Sequence, residues 1–259
     1  MKQRRPALLW LIAALSLLAV IVWLSDSNEA LFYRINLAGH ALPDAVWANL
    51  TLVADTLFAV AILLIVGCYY PKVLNQSLVL LILGTLVVHG FKQGLDIARP
   101  AAVLDRDSFY IIGQVLKNHS FPSGHSFTAM SCAGLIWLNI RHSGAGVAIL
   151  VLGFLAALSR AMVGAHWPLD ILVGSAAGLL VAWLSVALVE HWGWLQGNGQ
   201  KLFTAALLTL AAAYLSIHQD GYPYTDPLAI LTSVVAVVVA VVRVWAPLPV
   251  HVRRAFRRS

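Results

Sequence analysis

Residues 159–170 read SRAMVGAHWPLD and join two long apolar runs of the chain. The stretch carries an arginine, a histidine and an aspartate to the ends of these runs, where ionisable groups are costly and are commonly functional. Asp170 stands four residues after His166, so its carboxylate can hold the imidazole, fix its tautomer and stabilise its cation. A hydrogen-bonded pair with a purely structural role would have the same spacing and is the alternative interpretation. Pro168 suits the first turn of the following helix.

The composition indicates an integral membrane protein. Of 259 residues, 60% are hydrophobic and 11% are charged, whereas soluble domains are about 45–50% apolar. A membrane-spanning helix needs roughly 20 apolar residues. Eight candidate runs lie at approximately 7–24, 47–70, 77–92, 124–140, 145–163, 169–189, 202–218 and 227–246. No stretch alternates as the strands of a membrane barrel do, so the predicted fold class is all-α, a polytopic bundle of about eight transmembrane helices.

The distribution of lysine and arginine along the sequence predicts how the chain is oriented in the membrane. The chain has 17 Lys and Arg against 11 Asp and Glu, a net charge of +6, and most of these cations lie in connections and at the termini. A cytoplasmic N-terminus places ten of them inside: Lys2, Arg4, Arg5, Lys72, Arg141, Lys201, Arg253, Arg254, Arg257 and Arg258. Beyond the cations of the polar stretches, the outer side then holds three: Arg34, Arg106 and Lys117. This bias predicts both termini in the cytoplasm. No basic stripe is interleaved with aromatics, so nucleic acid is not an expected partner.

The first apolar run is interpreted as an uncleaved transmembrane helix. It is long for a secretory signal, and residues 25–29, SDSNE, offer no small-x-small cleavage site. A cleaved signal is the alternative.

The two cysteines, Cys68 and Cys132, lie inside apolar runs and are expected to be buried, inert thiols.

A second polar stretch, residues 92–100, reads KQGLDIARP. Lys92 and Arg99 are seven residues apart, about two helical turns, so on a continuous helix both would leave the same face and grip one ligand. Pro100 would then end that helix, and Asp96 would pair with Lys92. Interfacial cations that extend toward lipid headgroups are the alternative interpretation.

A third stretch, residues 122–125, reads PSGH and precedes an apolar run. Proline, serine and glycine suit a helix start, where exposed N–H groups and the helix dipole bind anions. The backbone at Ser123 and Gly124 would therefore suit an anion such as phosphate. A helix cap with an incidental histidine is the alternative interpretation of this stretch by itself. On the eight-span count all three stretches fall on the external face, so one shared site is possible.

These three stretches, in this order and spacing, resemble the signature of the type 2 phosphatidic acid phosphatase (PAP2) family. The resemblance covers the third to sixth runs. It implies a six-span PAP2-like core at residues 1–190, with motifs at 92–100, 122–125 and 159–170. Residues 191–259 would add two transmembrane helices and a basic cytoplasmic tail, a departure from the family core.

The resemblance also implies a metal-independent hydrolase of lipid phosphates. His166 would be the nucleophile that forms a phosphohistidine, Asp170 would orient it, and His125 would be the general acid and base. Phosphate would be bound by Lys92, Arg99, Ser123, Gly124 and Arg160. No cofactor and no metal ion are expected, because three cations can take the place of Mg²⁺.

The expected partners are the lipid bilayer and a lipid phosphate: phosphatidate, phosphatidylglycerophosphate, undecaprenyl diphosphate or a lipid A phosphate. A bacterial inner membrane with the site facing the periplasm is the expected location.

Two other functions fit the pattern, a lipid phosphotransferase using the same site and a non-catalytic lipid or anion transporter. Four nearby residues are not assigned to the site: His89, Arg106, Lys117 and His119. The oligomeric state is not readable from the sequence.

Overall fold

The structure is a computed structural model that describes residues 4–248. In this range it contains helices and no strand. The α-helices are α1 Arg4–Leu24, α2 Asn28–Gly39, α3 Asp44–Val53, α4 Thr56–Tyr69, α5 Lys72–Gly94, α6 Pro100–Val103, α7 Gly124–Asn139, α8 Ser143–Met162, α9 Pro168–His191, α10 Asn198–Tyr214 and α11 Asp226–Ala240. Short 3₁₀ turns occupy Arg106–Ser108 and Gly193–Gln196, and a π-helical turn, Val241–Trp245, extends α11. The arginines of the predicted basic C-terminal tail lie outside the described residues.

Helices occupy all eight predicted runs, which confirms the all-α, multi-pass fold class. Five helices, α1, α5, α8, α9 and α11 with its π-helical turn, are long and apolar enough to cross a membrane. The bent pair α3 and α4 adds a sixth span if it crosses as one unit. Helices α7 and α10 have 16 and 17 residues, fewer than the roughly 20 that span a bilayer core. The count of eight spans therefore stays a prediction.

The second predicted run, 47–70, is wrong as one continuous helix. It is two helices, α3 and α4, bent by 61° where they meet. Asp55 causes the break, because its carboxylate accepts hydrogen bonds from the N–H groups of Leu57 at 2.8 Å and Phe58 at 3.4 Å. This capping starts a new helix at Thr56.

The prediction that Lys92 and Arg99 share a helix face is also wrong. Helix α5 ends at Gly94, and Arg99 caps the separate short helix α6, which Pro100 begins. The segment 95–99 leaves the helix because it pairs with residues 117–120. The Arg99 N–H donates to the carbonyl of Lys117 at 2.8 Å, and the Ser120 N–H donates to the carbonyl of Ile97 at 2.8 Å.

Helix α7 lies at the centre, packed between α8 and α9, while α1 covers the other side of α9. Gly174 and Gly178 allow the close approach of α9 to α7. A Cβ atom on Gly174 would lie 2.5 Å from the backbone oxygen of Ser123, and one on Gly178 would overlap the backbone oxygen of Phe127. These two glycines are four residues apart and face the same way. They bring the N-terminal ends of α7 and α9 together, where two of the motifs lie.

Helices α10 and α11 pack against α4 and against each other. Their side chains belong to the same contiguous apolar core as those of α1 and α7. The division at residue 190 stays a prediction of the sequence, and its two sides share one core.

Candidate active site

The three polar stretches meet at one end of the bundle. The Nη1 atom of Arg99 lies 3.0 Å from Nε2 of His166, and the Ser123 N–H donates to the carbonyl oxygen of Asp170 at 3.1 Å. The first contact joins residues 67 positions apart in the chain. A common site for all three stretches is therefore present in the fold.

His166 is held in one orientation by groups on both ring nitrogens. Its Nδ1 atom lies 3.3 Å from Oδ2 of Asp170, and its Nε2 atom faces Arg99. A guanidinium can only donate and a carboxylate only accepts. The proton of the neutral ring is thus assigned to Nδ1, and the Nε2 lone pair is directed into the site. This is the tautomer that a nucleophilic histidine requires.

Asp170 is buried and anchored by two further donors. The hydroxyl of Ser120 donates to Oδ2 at 2.5 Å, and the backbone N–H of Trp167 donates to the same atom at 3.1 Å. Asp170 is in the first turn of α9, which Pro168 begins as predicted. The carboxylate cannot rotate away from His166 without breaking these bonds.

Arg99 is buried and tied to backbone carbonyls rather than to a carboxylate. Its Nε donates to Asn118 at 2.8 Å and its Nη1 donates to Ala165 at 3.1 Å. Burial first, and then the positive charge of Arg160, lowers the pKa of Arg99 to about 10. The side chain therefore remains charged at neutral pH.

Burial also lowers the pKa of His166 well below its ordinary value, and the positive charges of Arg99 and Arg160 add to this effect. A lowered pKa keeps the imidazole neutral at pH 7. The lone pair on Nε2 is then available for attack on an electrophile.

Arg160 is 1% exposed and is the largest fully buried side chain. Its Nη1 donates to the hydroxyl of Tyr222 at 2.8 Å, and its Nε has no hydrogen-bond partner. Within residues 4–248, neither Lys92, Arg99 nor Arg160 forms an ion pair with a carboxylate. Buried cations without a carboxylate partner are expensive, so the site has an electrostatic requirement for an anion.

At the N-terminus of α7, one of the two expected backbone donors is already used within the protein. Ser123 caps the helix, since its hydroxyl accepts from the N–H of Ser126 at 3.3 Å. Its own N–H is already bonded to Asp170, so the expectation that the Ser123 amide binds phosphate is corrected. For the N–H groups of Gly124 and His125, the described chain offers no protein acceptor.

Lys92 and His125 lie beside this helix end. A Cβ atom on Gly124 would be 3.6 Å from Nζ of Lys92. Lys92 and His125 line the same end of one cavity, and Arg99 contacts the His166 ring. Three cations and two histidines thus surround one small volume, although the helix that carries Lys92 ends before Arg99.

The residues left out of the predicted site have other contacts. Asp96 was expected to pair with Lys92, but its carboxylate lies 3.4 Å from Nδ1 of His119, and both side chains are exposed. Lys117 and His119 contribute only backbone carbonyls to Arg99. Arg106 is exposed in a 3₁₀ turn.

Two residues of the site were not found in the sequence. Ser120 holds Asp170, and Tyr222 holds Arg160 from the connection between α10 and α11. Ser120 is close to the PSGH stretch but carries no spacing signal, and Tyr222 lies 62 residues from its partner. Neither contact has a local periodicity that a sequence could show.

An apolar cavity of about 340 Å³ opens beside the site between α4, α5 and α7. Lys92, Gly124 and His125 line one end, and the lining continues to Leu63 and Leu80. Leu80 precedes Lys92 by 12 residues on α5, about 18 Å along the helix axis. The cavity therefore leads from a cationic end deep into the helical bundle.

Comparisons with known proteins concern the family and the overall fold. The PAP2 superfamily profile matches residues 73–194. A protein of Escherichia coli (strain K12) named "Putative undecaprenyl-diphosphatase YbjG" is 29% identical over 185 residues, which covers 70% of this chain and 88% of that protein. The crystal structure of LpxE from Aquifex aeolicus superposes with a TM-score of 0.54 at 27% identity, over 62% of this chain and 94% of that one.

A second solved structure, the transmembrane PAP2 type phosphatidylglycerolphosphate phosphatase from Bacillus subtilis, gives a TM-score of 0.52 over 70% of this chain and 96% of that one. Its sequence identity is 21%, so it supports the fold. The matched profile spans the three polar stretches and the helices α5 to α9 that carry them. The comparisons therefore identify a PAP2 superfamily region at residues 73–194 and support a multi-pass membrane phosphatase.

Proposed function

We propose that the protein removes a phosphate from a membrane lipid phosphate or diphosphate at the periplasmic face of a bacterial inner membrane, through a phosphohistidine intermediate. The main supporting observation is that the unprotonated Nε2 of His166 lies 3.0 Å from Nη1 of Arg99. Lys92, Arg99 and Arg160 have no carboxylate partner within residues 4–248, and an apolar cavity opens beside them. An anionic phosphate fits the cations, and a hydrocarbon chain fits the cavity.

The proposed reaction has two displacements at phosphorus. Nε2 of His166 attacks the phosphorus atom, the bond to the lipid oxygen breaks, and that oxygen takes a proton from His125. A water molecule then gives a proton to His125 while its oxygen attacks phosphorus, and the P–N bond breaks to release phosphate. Asp170 stabilises the imidazolium character that develops as the P–N bond forms.

The cations act on the charge of the phosphoryl oxygens. Lys92, Arg99, Arg160 and the N–H groups at the start of α7 surround the place where that charge increases in the transition state. In residues 4–248 no three His, Cys, Asp or Glu side chains come together as a metal site. Our proposal is that these cations provide the electrostatic stabilisation that Mg²⁺ gives in other phosphoryl-transfer sites.

A polyprenyl diphosphate is the first substrate to test. The relative whose name is "Putative undecaprenyl-diphosphatase YbjG" aligns over 88% of its length. The test is a phosphate-release screen of purified protein on undecaprenyl diphosphate, phosphatidate, phosphatidylglycerophosphate and a lipid A phosphate, with and without excess EDTA.

His166→Ala is the decisive variant of this screen, and His142→Ala is its matched control. His142 is exposed beyond α7, outside the site. We expect His166→Ala to lose at least about 10³-fold in kcat, in line with loss of a covalent nucleophile, and His142→Ala to keep wild-type activity. Equal activity of His166→Ala and wild type would disprove the nucleophile. Loss of wild-type activity in EDTA would disprove metal independence.

The intermediate and the face of the membrane have separate tests. Substrate labelled with ³²P should label wild-type protein at an acid-labile phosphohistidine, and faster decay of that label with a lipid acceptor than with water would make the protein a phosphotransferase. Asp107→Cys, on an exposed turn of the connection between α6 and α7 that also contains Ser120, should react with a membrane-impermeant maleimide in cells whose outer membrane alone is permeabilised. Protection until the inner membrane is opened would place the site in the cytoplasm.

A further inference from the structure

The connection between α10 and α11, residues 215–225, reaches the catalytic end of the bundle. It lies outside residues 73–194, which the PAP2 superfamily profile matches. Its Tyr222 hydroxyl accepts a hydrogen bond from Nη1 of Arg160 at 2.8 Å, and the Arg160 guanidinium carbon lies 5.3 Å from the centre of the Tyr222 ring. Among described residues, Tyr222 is the side chain that provides Arg160 with an acceptor.

We propose that Tyr222 positions Arg160 for phosphate binding, and that the two C-terminal helices hold Tyr222 beside Arg160. This inference rests on the proposed function, because it assigns a role to one of its phosphate-binding cations. It also gives the helices beyond residue 190 a part in the reaction.

The electrostatics of Arg160 require such a partner. The guanidinium is 1% exposed, and no carboxylate pairs with it in the described chain. A hydroxyl dipole and an aromatic face stabilise a buried guanidinium without neutralising it. A carboxylate in the same place would compete with phosphate for the cation, whereas a phenol leaves the positive charge available. The Nε–H of Arg160 remains without a partner and is free for an anion.

The loop that carries Tyr222 has a defined conformation. Oδ1 of Asp220 accepts from the Tyr222 N–H at 2.9 Å and from the Thr225 hydroxyl at 2.9 Å. Gly221 has φ +79°, a left-handed conformation that favours glycine. The backbone on both sides of Tyr222 is thereby held in one arrangement, which limits where its side chain can point.

A second loop packs against the Tyr222 ring. At Gly113, which also has a positive φ of +79°, a Cβ atom would lie 2.7 Å from Cδ1 of Tyr222. The ring also packs on the small apolar cluster that contains Trp47, Ile112 and Val163. Val163 follows Arg160 by three residues, so this cluster ties the ring to the end of α8. Ring packing holds Tyr222 in place, while its hydroxyl makes the bond to Arg160.

This separation of ring and hydroxyl defines the experiment. Tyr222→Phe keeps the ring and removes only the acceptor, and Tyr224→Phe is the matched control, since Tyr224 is in the same loop with its side chain 65% exposed. We expect Tyr222→Phe to lower kcat/KM for lipid phosphate about tenfold, the size of one hydrogen bond to a charged group, and to raise the inhibition constant of inorganic phosphate by a similar factor. Tyr224→Phe should stay within about twofold of wild type, and all three proteins should elute from size-exclusion chromatography in detergent as the same folded species.

A double-mutant cycle with Arg160→Lys shows whether the effect of Tyr222→Phe on activity depends on Arg160. If Tyr222 acts by positioning Arg160, then Tyr222→Phe should have much less effect in the Arg160→Lys background than in wild type. Equal effects in both backgrounds, or an unchanged inhibition constant for phosphate in Tyr222→Phe, would overturn the inference while leaving the phosphatase proposal intact. Absence of phosphate release from wild type on every lipid tested would instead refute the proposed function.

Discussion

Replacing Ser120 with alanine tests how the nucleophile is held. The Ser120 hydroxyl is fully buried and donates to Oδ2 of Asp170 at 2.5 Å. It lies 3.5 Å from Nδ1 of His166. Ser120 is therefore expected to support the orientation of His166 through Asp170, so its loss should lower kcat more than it raises KM.

The magnitude follows from the donors that remain on Asp170. A hydrogen bond to a charged group contributes about 1.5–3 kcal/mol, and a tenfold change in rate corresponds to about 1.4 kcal/mol. The Trp167 N–H and His166 still hold the carboxylate after the substitution. We therefore expect the lower end of the range, a loss of about tenfold in kcat, measured by steady-state phosphate release.

Ser175→Ala is the matched control for this substitution. Ser175 is fully buried on the same helix as Asp170, and its hydroxyl has no hydrogen-bond partner. It should keep wild-type kcat, and both variants should keep the folded fraction of wild type on size-exclusion chromatography. A kcat for Ser120→Ala within about threefold of wild type, or an equal loss in Ser175→Ala, would refute the reasoning.

Three further predictions concern pH dependence and packing. Arg99→Gln removes a positive charge that lowers the pKa of His166, so the acid limb of kcat/KM, expected below pH 6.5 in wild type, should move to higher pH; the same profile in both proteins would contradict this. Gly174→Ala should lower the melting temperature and the activity, because its Cβ would meet backbone at 2.5 Å, whereas Gly90→Ala, with open space around it, should lower neither. Asp55→Ala should cost about 1 kcal/mol of unfolding free energy through loss of the α4 cap, and an unchanged urea midpoint would show that the cap is dispensable.

Parts of the site that depend on nearby residues were predictable from the sequence. Asp170 follows His166 by four residues, and the structure places their side chains 3.3 Å apart. Pro168 begins α9 and Ser123 caps α7 as their residue types indicate. These features depend on backbone geometry within one helical turn, which a linear pattern expresses directly.

Parts that depend on backbone pairing elsewhere were mispredicted. Lys92 and Arg99 have the spacing of one helix face, but residues 95–99 pair with residues 117–120 instead of continuing α5. The two cations meet the same site because the fold turns the chain back on itself. The shared helix face predicted from their spacing is therefore wrong, and the binding of one ligand by both cations stays a prediction.

The sequence by itself determined a helical membrane bundle and the chemical character of its site. Long apolar runs must satisfy their backbone hydrogen bonds internally, and ionisable residues at their ends are too costly to be incidental. Only the tertiary structure decided that Ser120 supports Asp170 and that Tyr222 supports Arg160, across 50 and 62 residues of chain. Such contacts arise from the packing of distant segments, and packing leaves no periodic trace in the order of the residues.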